Sequence, residues 1–237
     1  MRLLWLPSVL RDAGLNVVEM GGWENRGKEL ADVTLVVCHH TATGPRVSDE
    51  AVARLLREGR SDLAGPLAQL GLRRDGTFDL ICAGKANHNG YGVGRNQTIG
   101  IEAYNDGMGE PWPRAQIDAY QRGCAAICAH LGWNATRVQG HKETDPKRKI
   151  DPAGIDMDGF RLGVTALLND QPLDPPTQED PLMALSDAEA KELLEKVRAT
   201  DLRVAELQKE VVGEKDTKGN SRMDRLADII TRLGKKP

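Results

Sequence analysis

The sequence predicts an α/β domain with a central mixed β-sheet flanked by helices, followed by a small α-helical C-terminal module. Apolar runs of strand length alternate with stretches that have helical spacing, and a Pro- and acid-rich segment ends this pattern near residue 170. Beyond that segment the apolar residues recur in heptads. We therefore assign residues 1–169 to a globular domain, 170–182 to an extended linker and 183–237 to a helical module.

The apolar runs of the first domain predict its strands and helices. A turn signal, Arg74-Asp75-Gly76-Thr77, separates two of the strands and indicates a β-hairpin. Strands are expected over 33–38, 68–72, 78–82 and 98–103, and helices over 47–58, 113–131 and 156–168.

The C-terminal module carries a short heptad seam. Ser186 and Glu189 form a capping-box signature at its start, and valine and leucine at the seam positions favour a parallel two-stranded coiled coil. About three heptads is short for a stable coiled coil, so self-association through these helices and a helical hairpin that folds back remain equal alternatives. Met183 is a candidate internal start for this module. The seam consists of Leu193, Val197, Thr200, Val204, Leu207 and Val211.

Composition argues against several classes of partner. With a net charge of -3, the chain has no general electrostatic attraction for nucleic acid or an anionic membrane. The sequence contains no run of about twenty apolar residues, so no membrane-spanning helix is expected. The short N-terminal apolar run is broken by Pro7 and is not typical of a signal peptide. The four cysteines lack metal-ligand spacing, so we expect buried, reduced thiols.

The segment 140–152 combines a histidine, lysines, carboxylates and two prolines outside any clear helix or strand pattern. Histidine and aspartate are zinc ligands, and a loop stiffened by proline can hold them at a fixed separation if a rigid element supplies a third ligand. His39 ends an apolar run that predicts a buried strand, and it is the candidate for that ligand. His40 points to the opposite face of the strand, where we expect it to be packed or hydrogen-bonded.

Other enzyme signatures do not fit. His141-Lys142-Glu143 matches half of the zinc deaminase pattern, but no cysteine pair follows it. The H-E-x-x-H spacing of zincins and the G-x-S-x-G pattern of serine hydrolases are both absent from the sequence.

Five motifs in order give a more specific indication. The chain resembles the zinc-dependent N-acetylmuramoyl-L-alanine amidases of the amidase-2 and peptidoglycan-recognition-protein superfamily over roughly residues 30–168, and is most similar in character to endolysins from phages of actinobacteria. The motifs that carry this resemblance are His39-His40-Thr41-Ala42-Thr43, Arg74-Asp75-Gly76-Thr77, Ala86-Asn87-His88-Asn89-Gly90, Thr98-Ile99-Gly100-Ile101-Glu102 and the segment 140–152.

The resemblance implies a role for each of five residues. His39, His141 and Asp151 would bind Zn2+, with water in the fourth position, the arrangement that characterises catalytic zinc. Glu102 would move the proton from this water to the leaving amine; the alternative is a strand-end carboxylate that faces solvent. Lys149 would stabilise the oxyanion; the alternative is a solvated lysine.

Other positions have weaker or structural interpretations. His88 and Asn87 correspond to the loop that lines the substrate groove in the family. Several family members have a tyrosine where this chain has Ala68, which strengthens the assignment of the general base to Glu102. Asp156 is interpreted as a helix cap rather than part of a calcium loop, and His130 as structural.

The resemblance implies a peptidoglycan hydrolase that cleaves the bond between N-acetylmuramic acid and the first L-alanine of the stem peptide. As an endolysin it would be made in the host cytoplasm and reach the wall through holin pores. The alternatives are a cytoplasmic amidase that recycles soluble muropeptides and a protein that binds peptidoglycan without cleaving it. The C-terminal module would raise avidity for the wall by binding its polymer or by self-association.

Overall fold

The computed structural model describes residues 1–169. The linker, the heptads, the capping box and Met183 lie outside these residues, so the predicted C-terminal module stays a prediction. The helices are α1 Leu6–Asp12, α2 Asp49–Glu58, α3 Arg114–Leu131, α4 His141–Thr144 and α5 Met157–Leu168. The strands are β1 Val17–Glu19, β2 Val36–His40, β3 Gly59–Arg60, β4 Leu63–Ala64, β5 Leu70–Leu72, β6 Phe78–Leu80, β7 Ile99–Ala103 and β8 Val138–Gly140.

Six of the strands form one mixed sheet in the order β1-β6-β5-β7-β2-β8, and β3 and β4 form a separate small hairpin. All neighbours in the large sheet are parallel except β5 and β6. These two are joined by the predicted turn, in which the amide of Arg73 donates to the carbonyl of Thr77 at 2.9 Å. The predicted fold class, a mixed sheet flanked by helices, is confirmed.

The sheet separates a large apolar core from a smaller one. Ile99 and Ile101 point from β7 into the larger core, which is covered by α1, α3 and α5. The alternate residues of β7 face the other side, where Tyr104 packs with Val52 and Leu56 of α2. The apolar cluster on this second face is small, and the face also carries polar side chains such as that of Glu102.

The four predicted strands and three predicted helices are all present, with ends moved by up to three residues. The short elements β1, β8, α1 and α4 were not predicted. Three-residue strands contain too little alternation for a periodicity to be recognised. The proline at position 7, interpreted as a break in the first apolar run, lies in the first turn of α1, where a missing amide hydrogen is tolerated.

The segment 140–152 was predicted to lie outside regular structure, and for its first five residues this was wrong. Gly140 ends β8 and the next four residues form α4. The carboxylate of Glu143 accepts the amide hydrogen of Gly140 at 2.7 Å and is held by Arg161 of α5 through two hydrogen bonds of 2.8 and 2.9 Å. These contacts stabilise one helical turn that would be too short to form alone.

Asp156 caps α5 as expected, because its carboxylate accepts the amide hydrogens of Asp158 and Gly159. The four cysteines are buried free thiols, also as expected. Burial raises the pKa of Cys82 and of Cys128 to about 12, which makes these thiols poor nucleophiles. Among residues 1–169, no helix has the length and hydropathy needed to cross a bilayer.

Candidate metal centre and active site

The site lies where the parallel strands β2 and β7 end side by side. His39 and Glu102 are partners in the strand register, so both side chains project from the same face of the sheet. The Nδ1 atom of His39 is 3.9 Å from Oε1 of Glu102. Tyr120 of α3 fixes the backbone at this point: its hydroxyl accepts the amide hydrogen of His39 at 2.8 Å and donates to the carbonyl of Ile101 at 2.9 Å.

His141 and Asp151 complete a cluster with His39. One ligand atom from each of the three residues lies within 4.8 Å of the others. The Oδ2 atom of Asp151 is 2.9 Å from Nδ1 of His39 and 2.9 Å from Nδ1 of His141. The two histidine side chains are only 1% and 4% exposed, and that of Asp151 is 14% exposed.

Burial and mutual contact determine the protonation of this cluster. Burial lowers the pKa of His39 to about 4, although Asp151 partly opposes the shift. Burial raises the pKa of Asp151, but contacts with His141 and His39 outweigh it, so the net pKa is well below the usual range. Neutral imidazoles and an ionised carboxylate are the forms that ligate metal ions. The donor set of two histidines and one aspartate therefore fits a divalent transition metal.

Contacts from several elements hold Asp151 against the two histidines. The Lys142 amide donates to the carbonyl of Asp151 at 2.7 Å, and its ammonium donates to the carbonyls of Pro152 and Ile155 at 3.1 and 2.5 Å. His40 accepts the amide hydrogen of Ala153 at 3.1 Å, which agrees with the expectation that it is hydrogen-bonded on the other face. The indole of Trp112 donates to the carbonyl of Ala153 at 2.9 Å.

Glu102 is a buried carboxyl group beside the cluster. Its side chain is 15% exposed, and among the described residues no hydrogen-bond partner contacts its Oε2 atom. Burial first, and then the negative charge of Asp151, raises the pKa of Glu102 to about 8; the positive charges of Lys149 and Arg60 oppose this rise. A buried, unpartnered oxygen on the residue beside this cluster is available to a further ligand or to a reacting water.

Comparison with known proteins identifies the family. The sequence model of the N-acetylmuramoyl-L-alanine amidase family (Amidase_2) matches residues 29–154, which is more than half of the 237 residues. The chain belongs to this family. The match contains His39, Glu102, His141 and Asp151, so the whole cluster lies inside the amidase domain. No curated protein sequence matches the chain.

Several solved structures are similar to this amidase-family chain at low sequence identity. The endolysin LysCS, an N-acetylmuramoyl-L-alanine amidase from Clostridium intestinale URNW, is 16% identical, with a TM-score of 0.47 over 62% of this chain and 93% of that one. The Ph2119 endolysin from the Thermus scotoductus MAT2119 bacteriophage is 16% identical, with a TM-score of 0.46 over 63% and 99%. Wild-type Drosophila PGRP-LB is 14% identical, with a TM-score of 0.45 over 67% and 95%. The family assignment therefore rests on the sequence match.

The structure places the remaining predicted site residues around the cluster. Lys149 is half-buried, and its positive charge lowers the pKa of both Glu102 and His39. Asn87 lies on the same loop as His88 and donates to the carbonyl of Ala64 at 2.9 Å. His88 itself is only 8% exposed and contacts the ring of His39. The roles predicted for these residues in catalysis and substrate binding stay predictions.

Two other positions have the structural surroundings expected of them. Ala68, where several family members have a tyrosine, is fully buried just before β5. Its methyl group offers no hydrogen bond to the site. The ring of His130 lies against that of Trp5, with 4.1 Å between their centroids.

The supporting roles of three residues around the site were not predicted from the sequence. Lys142 and Tyr120 act on backbone atoms, and Thr98 contacts His88 through its carbonyl and hydroxyl oxygens. Lys142 and Thr98 had a signal that sequence reasoning could have used, because Lys142 lies next to His141 in the polar segment and Thr98 begins the motif that ends at Glu102. Partners that bind backbone atoms leave no spacing pattern of their own.

The two hydrogen bonds from the Lys142 ammonium to the loop after Asp151, here called the clamp, predict an effect on metal affinity. Replacing Lys142 by methionine keeps the unbranched shape of the side chain up to its fourth atom but removes its hydrogen bonds to the Pro152 and Ile155 carbonyls, so Asp151 is held less firmly. We expect Lys142→Met to raise the dissociation constant for Zn2+ by about tenfold or more, as loss of supporting contacts does in other metal sites. Competition with a chromophoric chelator measures this constant.

Lys147→Met is the matched control, because it makes the same change on an exposed side chain of the same segment. Equal zinc affinities for the two variants would show that the clamp has no role in metal binding.

Proposed function

We propose that this protein is a zinc-dependent N-acetylmuramoyl-L-alanine amidase that hydrolyses peptidoglycan. The bond cleaved is the amide between the lactyl group of N-acetylmuramic acid and the first L-alanine of the stem peptide. The observation that carries the proposal is the convergence of His39, His141 and Asp151 beside the buried carboxyl of Glu102, inside a domain of the amidase family.

The three converging residues are the proposed zinc ligands. Their ligand atoms lie within 4.8 Å of one another, a separation that one bound cation would span. Zinc held there would supply Lewis acidity, which polarises a carbonyl oxygen and lowers the pKa of water toward neutrality. A set of three protein ligands, one fewer than in structural zinc sites, is the number found in catalytic ones.

Glu102 is the proposed general base and acid. Its carboxylate takes a proton from the attacking water and then delivers it to the nitrogen of the leaving L-alanine. The geometry supports this role, since Oε1 lies 3.9 Å from Nδ1 of His39 and the buried Oε2 has no partner within residues 1–169. A carboxyl group confined beside the ligands moves the proton without leaving the site.

Lys149 is the proposed oxyanion-stabilising residue. Attack on the amide carbonyl places negative charge on its oxygen, and a fixed positive charge in a partly dehydrated site favours that charge. The half-buried Lys149 acts electrostatically on Glu102, His39 and His40, which supports this role.

Removal of the carboxylate tests the mechanism. We expect Glu102→Gln to retain zinc and to release stem peptides from purified walls about 10²- to 10⁴-fold more slowly, because the amide cannot move the proton. Glu29→Gln is the control, since that side chain is 72% exposed on the surface. Unchanged peptide release by Glu102→Gln would overturn the mechanism, and a wild-type chain that binds walls without cleaving them would indicate a recognition protein.

Removal of the metal tests the zinc centre. We expect about one zinc per chain, lost in His39→Ala and kept in His130→Ala, whose ring lies against Trp5. Chelation of the wild type should abolish activity and lower Tm, since a ligand at 1,000 times its dissociation constant stabilises the fold by about 4 kcal/mol. Elemental analysis and thermal unfolding provide the readouts. Full activity after complete removal of zinc would contradict the proposal.

The biological role proposed is that of an endolysin, released to the wall through holin pores. The predicted linker and heptad module support it, because an enzyme that acts on small soluble muropeptides needs no module for targeting or multivalency.

We expect the full chain to release peptides from intact walls at a higher kcat/KM, per susceptible bond, than from soluble muropeptides, because the C-terminal module engages only the polymer. Release of free stem peptides, followed by chromatography, gives both rates. A strong preference for the soluble substrate would instead indicate a recycling amidase.

A further inference from the structure

The two ring nitrogens of His39 have different surroundings. Nδ1 faces the proposed metal cluster, 2.9 Å from Oδ2 of Asp151. Nε2 faces the opposite way and lies 3.0 Å from Nδ1 of His88. The rings of the two histidines meet edge to face, and both side chains are buried. Because a neutral imidazole carries one proton, which of its nitrogens can bind a metal depends on where that proton is held.

The partners of His88 determine the direction of this hydrogen bond. Its Nε2 atom is 3.2 Å from the carbonyl oxygen of Thr98 and 3.2 Å from the Thr98 hydroxyl oxygen. A carbonyl can only accept, and the Thr98 hydroxyl donates its own hydrogen to the carbonyl of Arg95 at 2.8 Å. Nε2 of His88 must therefore carry a proton, which leaves a lone pair on Nδ1 of the neutral ring.

The alternative, a charged His88, has no support in its surroundings. Within residues 1–169 its hydrogen-bonding contacts are a second imidazole and the two oxygens of Thr98, so no carboxylate among them compensates a buried positive charge. With His88 neutral and its Nδ1 accepting, the hydrogen between the two rings belongs to Nε2 of His39.

We propose that His88 is a positioning residue that fixes the metal-binding tautomer of His39. The Thr98 carbonyl orients His88, His88 accepts the Nε2 hydrogen of His39, and Nδ1 of His39 is left with its lone pair directed at the metal position. This inference rests on the proposed zinc site. It assigns His88 a task different from lining the substrate groove.

Without His88, the site would favour the wrong tautomer. Oδ2 of Asp151, 2.9 Å from Nδ1 of His39, attracts a hydrogen onto that nitrogen, and a protonated Nδ1 cannot bind a metal. The hydrogen bond to His88 opposes this by stabilising the other tautomer. The strand beneath is adapted to the arrangement, because a Cβ atom at Gly100 would lie 2.6 Å from Nδ1 of His88.

Two substitutions separate hydrogen bonding from packing. His88→Phe keeps a ring of similar shape but cannot accept a hydrogen bond, whereas His88→Asn loses the ring but places an amide oxygen where Nδ1 stood. We expect the phenylalanine variant to raise the dissociation constant for Zn2+ by about 10- to 100-fold, and asparagine to restore most of the loss. Chelator competition measures both constants, and circular dichroism confirms that each variant folds.

A packing role predicts the opposite order, since phenylalanine fills the space better than asparagine does. Tighter zinc binding by His88→Phe than by His88→Asn, or equal affinities close to that of the wild type, would overturn the inference while leaving the zinc site intact. Absence of zinc binding by the wild type would overturn the zinc centre and this inference together.

A measurement on the metal-free wild type needs no variant. Nitrogen-15 NMR of histidine side chains distinguishes a ring protonated on Nε2 from one protonated on Nδ1. At neutral pH we expect His39 to carry its proton on Nε2, and His88 likewise. A His39 ring protonated on Nδ1 would refute the proposed role of His88.

Discussion

The in-register pairing of β2 with β7 sets the distance between the metal cluster and the carboxyl group that works with it. Parallel strands end at the same edge of a sheet, so His39 and Glu102 leave their strands as neighbours on one face. Glycines on that face leave room for neighbouring side chains. A Cβ atom at Gly71 would lie 2.4 Å from the hydroxyl of Tyr104, and one at Gly100 would lie 2.6 Å from Nδ1 of His88. On the other face, β2 directs Val36 and Cys38 into the core, and β7 directs Ile99 and Ile101 there. One alternation of side chains therefore provides both the stability of the sheet and the polar surface of the site.

Convergence of three electron-pair donors is costly without a cation, because desolvated lone pairs repel one another. The scaffold must hold them there, and the contacts that do so are mostly made to backbone atoms. Lys142, His40 and Trp112 bind the loop after Asp151, and the hydroxyl of Tyr120 binds the strand at His39. Backbone contacts restrain the position of a ligand without competing for the ligand atom itself, which stays available to a metal ion.

Sequence reasoning could identify the elements whose pattern extends over several residues. Valine and isoleucine runs predicted β2 and β7, and alternation along β7 placed Glu102 opposite its isoleucines. The three-residue strand β8 carries no such pattern, yet it positions His141. The distance between His141 and Asp151 depends on the path of a proline-containing loop, which spacing in the sequence does not determine. The contact between His88 and His39 was not predicted, because its direction is set by a backbone carbonyl that every residue possesses.

The metal site is also connected to the apolar core beneath the sheet. Tyr120 of α3 packs edge to face on Phe160 of α5, with 5.3 Å between ring centroids, and its hydroxyl reaches the backbone of His39. Arg161, the next residue of α5, holds Glu143 of α4 in a bidentate ion pair, and α4 begins at His141. His39 on β2 and His141 on α4 are thus both supported by residues of α5, through Tyr120 and Glu143 respectively. Because interiors are close-packed, a shift of α5 moves both supports together. The affinity of such a site depends on helix packing as well as on the identity of its ligands.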